Sequence, residues 1–68
     1  MTKTNDVRAV RFELLLMSYD TGDTPTERLT DLLADARHWC DRQRLCYGHV
    51  DRLAHQHYLA EWAEEIQP

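Results

Sequence analysis

Glycine is nearly absent from this chain: Gly22 and Gly48 are the only two in 68 residues. No glycine-rich loop is therefore available to cradle a phosphate or a dinucleotide. Ser18 is the sole serine, beside a turn and with no histidine at a spacing diagnostic of an activated nucleophile. The two cysteines, Cys40 and Cys46, do not form a C-x-x-C pair. Six positions apart on or next to a helix, they point about 240° away from each other, which disfavours a bridge between them. No apolar signal stretch opens the chain, so two reduced thiols and a cytoplasmic location are expected. The longest nearly apolar run, Phe12 to Met17, is interrupted by Glu13 and is far shorter than the roughly 20 residues that span a bilayer. With no nucleophile, phosphate loop or membrane span legible, the expectation is a protein that is not an enzyme and has no cofactor.

Concentrated positive charge is missing too. Twelve acidic residues oppose eight basic ones, a formal net charge of -4, and the acids are spread along the chain. Nucleic-acid affinity comes largely from clustered Lys and Arg, so direct DNA or RNA binding is not expected. An acidic decoy for a nucleic-acid-binding protein is a weaker alternative, because -4 is an ordinary charge for a small cytosolic domain. At this length a chain buries only about 60% of its unfolded surface. One core of that size supplies roughly 3–5 kcal/mol, and such scaffolds commonly enlist a disulfide, a metal or a partner chain.

What the chain does have is helical periodicity. A first helix is predicted from about Asp6 to Ser18, behind the candidate caps Thr4 and Asn5. It carries two apolar stripes, Val7–Val10–Leu14–Met17 and Phe12–Leu15–Leu16–Tyr19, and a helix apolar on most sides is normally covered on most sides. One stripe can face the domain's own core; the other needs a third helix or another chain. After a polar turn from Tyr19 to Asp23, Thr24 reads as an N-cap, Pro25 as the first helical residue, and Glu27 as the residue that reaches back to the cap. Leu29, Leu32, Leu33, Ala36, Trp39 and Cys40 then make one continuous face. Acids lead (Glu27, Asp31) and arginines close (Arg37, Arg42, Arg44), the order the helix dipole favours. Gly48 reads as the helix stop, and a third helix follows from about Val50 to Ile66, antiparallel to the second. Its apolar stripe shifts from Val50–Leu53–Ala54–His57–Tyr58 to Leu59–Trp62–Ala63–Ile66.

Metal-ligand chemistry is the main alternative to a contact protein. Cys46-x-x-His49 has a zinc-like spacing, with His38 nearby as a third donor. Asp35-x-x-His38 and His57-x-x-x-Glu61 place carboxylate and histidine one turn apart on neighbouring helices, as in di-metal bundles. However, Asp31, Asp35, His38 and Arg42 lie opposite the leucines, as a solvated charged stripe would. Trp39 is expected in the core, whereas Tyr47 and Trp62 suit either a core or an interface hot spot.

Two patterns, Leu29-x-Asp31-Leu32-x-x-Asp35-x-x-His38 and His57-Tyr58-x-x-Glu61, resemble a group of small uncharacterised bacterial helical proteins found on plasmids and prophages. The likeness covers roughly the last two thirds of the chain and departs at Gln43 to Gly48. It implies a bacterial and mobile-element habitat and no mechanism. The expectation is thus an all-α fold of three helices in one domain over residues 1–68: a hairpin of helices two and three, with helix one packed across it, as a homodimer. The expected function is protein–protein contact, as an accessory or inhibitory protein of a phage or plasmid, in an anti-defence or regulatory role. Phe12, Leu16, Tyr19 and Trp62 are the expected partner or dimer contacts.

Overall fold

The computed structural model describes residues 4–66. Its elements are α1 (Thr4–Leu16), α2 (Pro25–Gln43) and α3 (Tyr47–Ile66), with no strand among the described residues, and all three helices pack against one another. The all-α, three-helix reading holds; the boundaries move. α1 begins and ends two residues earlier than the periodicity suggests, and α3 begins three residues earlier.

The start of α2 follows from local chemistry. Thr24 is extended (φ -120°, ψ 155°), and its hydroxyl accepts from the Glu27 N–H at 3.1 Å. The Glu27 carboxylate accepts from the Asp23 N–H at 3.2 Å, so it reaches one residue past the cap and ties down the preceding loop. That loop lies close to the helix. A Cβ on Gly22 would come within 2.6 Å of the Glu27 Cβ, so a glycine is required there, and the Gly22 carbonyl accepts from Arg28 Nε at 3.0 Å.

The end of α2 corrects the expectation for Gly48. The left-handed residue is Arg44 (φ 59°, ψ 36°), and Gly48 sits in the first turn of α3 without a positive φ. The Leu45 N–H donates to the Cys40 carbonyl at 2.9 Å and the Arg44 N–H to the Asp41 carbonyl at 3.2 Å. This pair of bonds is the Schellman arrangement, which satisfies two of the carbonyls a helix end leaves open. Stopping at Arg44 places Tyr47 beneath Arg37, whose guanidinium lies 4.3 Å from the ring centroid. At Gly48 a Cβ would meet only Arg52 Nη1 and Cys46 Sγ, at 3.9 and 4.0 Å, so glycine is not needed there.

The helices meet mainly at their ends. The start of α1 docks on the end of α3: Asn5 Nδ2 donates to the Glu61 carbonyl at 3.0 Å, Arg8 Nε lies 3.2 Å from Glu61 Oε2, and the Asn5 N–H donates to the Glu65 carboxylate. Glu65 thereby supplies a free first-turn N–H with a partner and sets negative charge at the positive end of the α1 dipole. At the other end of α1, Glu13, Leu16 and Met17 face Pro25 and Arg28 across a small cleft. The third corner is the short turn between α2 and α3. The result is a plate of 41 × 29 × 16 Å, with a radius of gyration of 14.2 Å where a compact chain of this length has about 11 Å. Three helices that touch chiefly near their ends enclose little interior, which leaves much of their apolar surface uncovered.

Candidate functional site

Among the described residues only Cys40 is buried, at 4% exposure. Cys40 lies on the inner face of α2, as the periodicity requires, and its thiol is free; Cys46 is exposed and also free. Trp39, expected in the core beside it, is 57% exposed. The correction has a geometric cause. Trp39 stands at the margin of the α2 leucine stripe, and α1 ends too early to cover it.

Trp39 forms one wall of an open trough of about 730 Å³, lined otherwise by Leu15, Tyr19, Leu32, Asp35 and Ala36. Helical spacing places Leu32, Asp35, Ala36 and Trp39 along one side of α2, while the last turn of α1 and the loop behind it supply Leu15 and Tyr19. Asp35 is therefore at the rim of this trough, not on a stripe turned away from every other element. It accepts a hydrogen bond from the Tyr19 hydroxyl at 3.0 Å.

That bond raises the Tyr19 phenol above its ordinary value. The hydroxyl donates to Asp35 only while protonated, partial desolvation adds to the effect, and the Asp35 and Asp31 carboxylates both oppose a phenolate. A pKa higher in the folded state than in the unfolded one stabilises the fold fully below the unfolded value of about 10, and the contribution is lost as pH climbs through the raised value. In alkaline urea titrations the wild-type unfolding midpoint should accordingly fall more steeply above about pH 10 than that of Tyr19→Phe. Parallel curves would show that the contact does not form.

α1 turns inward the very stripe expected to stay open for a partner. Asn5 and Arg8 reach α3, Leu15 and Tyr19 line the trough, and Leu16 lines the small cleft. Phe12 projects on the same side of the helix and is 39% exposed. Leu16 and Tyr19 are half-buried. On the opposite stripe Val7, Val10 and Leu14 are all more than half exposed and line neither cavity, Leu14 at 64%, whereas Met17 edges the small cleft and Leu15, at 55%, is open to the trough. The signal that distinguishes the two stripes is charge. Arg8 shares a face with Phe12 and Leu15 and pairs with Glu61 on α3, while Glu65, one turn further on, takes the Asn5 N–H.

Trp62 is 52% exposed, in a row with Tyr58 and Ile66 at four-residue steps along the end of α3. The four residues read from sequence as contacts are thus separated. Phe12, Leu16 and Tyr19 belong to the inward side of α1, and Trp62 belongs to a distinct aromatic strip. Among the described residues no three His, Cys, Asp or Glu side chains converge as metal ligands would. The sets His38–Cys46–His49 and Asp35–His38–His57 are accordingly not brought together. Nor is any helix among these residues long and apolar enough to cross a membrane. No family model matches the chain, and no curated protein or solved structure shows significant similarity to it.

Proposed function

We propose that this chain is a non-enzymatic protein–protein interaction module, cytoplasmic, serving a bacterial phage or plasmid as an accessory or inhibitory protein. One observation carries the reading. The chain exposes 6146 Å², whereas a folded monomer of 8.1 kDa exposes about 4,500 Å². Large apolar residues are prominent among the exposed ones and recur in strips: the outer stripe of α1, the trough beside Trp39, and the Tyr58–Trp62–Ile66 row. Contiguous apolar surface on this scale marks interaction sites. The mobile-element habitat rests on the L-x-D-L-x-x-D-x-x-H and H-Y-x-x-E resemblance.

The Tyr58–Trp62–Ile66 row is the surface assigned to the target protein. It presents an aromatic anchor between two large apolar neighbours, the composition of interface hot spots. A photo-crosslinking amino acid placed at Tyr58 and activated in a bacterial host should trap one protein in defined stoichiometry. Trp62→Glu should remove that adduct while leaving the helical circular dichroism unchanged. Adducts to the chain itself alone, or scattered adducts insensitive to Trp62→Glu, would overturn the assignment.

A further inference from the structure

We infer that the remaining open surface, the α1 outer stripe and the trough beside Trp39, is covered by a second copy of this chain in antiparallel register. The inference deepens the contact reading above by naming one occupant, and it concerns a surface other than the Trp62 row.

Area is the first argument. The surplus over a compact monomer is about 1,600 Å² per chain, the Tyr58–Trp62–Ile66 row included, so two copies can cover at most about 3,300 Å² between them, and half of that already reaches the roughly 1,600 Å² of a standard specific interface. What is missing, moreover, is the interior itself. Among the described residues Cys40 alone is buried, less of a core than folding needs, so further cover has to be present whenever the chain is. A second copy is made whenever the chain is made, whereas a target protein need not be present. Obligate homodimers commonly have no stable folded monomer.

Charge gives the register. Around the α2–α3 turn, Arg37, Arg42, Arg44 and Arg52 outnumber Asp41 and Asp51. The opposite side of the plate is acidic on balance, with Asp20, Asp23 and Glu27 against Arg28 at the start of α2 and Glu61, Glu64 and Glu65 at the end of α3, where Arg8 pairs with Glu61 alone. A parallel pair would set like against like at both ends. A two-fold, antiparallel pair lays the basic turn of each copy over the acidic side of the other, and such an interface is self-complementary, as closed symmetry demands.

Sedimentation equilibrium of the purified chain tests the pairing. The expected mass is twice 8.1 kDa, with a melting temperature that rises with protein concentration. Leu14→Glu, which alters only the outer stripe, should weaken association by about 30-fold or more. A monomeric mass with a concentration-independent transition would overturn the inference, and a Trp62-dependent adduct could still be found in that event. The register has its own test. Cys46 and residue 64 are about 27 Å apart along one α3, too far for a short bis-maleimide to join within a chain. In a Glu64→Cys variant the reagent should yield a covalent dimer carrying a 46–64 link. Links of 46–46 or 64–64 alone would overturn the antiparallel arrangement.

Discussion

Cys40→Asp is expected to abolish cooperative unfolding, while Cys46→Asp leaves the fold intact or raises its stability by up to about 1 kcal/mol. The same substitution, six residues apart, takes opposite signs because the two sites differ in solvent access and in backbone role. Cys40 is the one buried side chain among the described residues. A carboxylate there must be desolvated without a partner or held protonated, at a cost of several kcal/mol. The whole chain has roughly 3–5 kcal/mol to lose. Cys46 is exposed, and its carbonyl accepts from the His49 and Val50 N–H groups, both at 3.1 Å, so it is the N-cap of α3. Aspartate is a preferred N-cap, and its charge suits the positive end of the helix dipole. Urea denaturation followed by far-UV circular dichroism, at one protein concentration throughout, separates the two variants. A Cys40→Asp protein unfolding within about 1 kcal/mol of wild type would mean that Cys40 is not the centre of the fold.

Arg44→Gly should stabilise the chain by about 1 kcal/mol. A left-handed conformation costs a residue bearing a Cβ about 1–2 kcal/mol, and glycine removes that strain while adding some entropy to the unfolded chain. Because the two capping bonds at Arg44 and Leu45 are backbone bonds, the substitution keeps them. For a chain of this size 1 kcal/mol moves the melting temperature by about 4–8 °C. An unchanged or lower melting temperature at matched concentration would indicate that the Arg44 side chain makes a compensating contact, the basic turn of the proposed dimer being the place to look for it.

These two sites also show how much of the molecule is readable before it folds. Cys40 stands on the inner side of α2 because leucines recur at three- and four-residue steps, a property of the helix alone. The α2 start is similarly local, as Thr24, Pro25 and Glu27 act within a single turn. Arg44 was not readable. Gly48 has the right residue type for a stop, but the stop falls where the Leu45 and Arg44 N–H groups reach back to Cys40 and Asp41 and where α3 can bring Tyr47 under Arg37. The strain at Arg44 is a local cost accepted for a turn whose benefit lies in another helix.

The candidate surface divides in the same way. That α1 is apolar on two sides follows from its sequence, and so does the need for something beyond one core to cover it. Which side stays open depends on Asn5 and Arg8 meeting Glu61 and Glu65, residues almost a chain length away. Trp39 is exposed for a related reason: its place on the helix is periodic, but its cover depends on where α1 ends and how the loop behind it turns.

Three helices, the capped start of α2, the inward position of Cys40 and the excess of apolar surface over what one small core can hold all follow from the order of the residues, because propensity, capping and periodicity act within a few residues. The stop at Arg44, the face α1 leaves bare and the trough beside Trp39 emerge only when the helices pack. Those features depend on contacts between helix ends far apart in the chain, which no local pattern encodes.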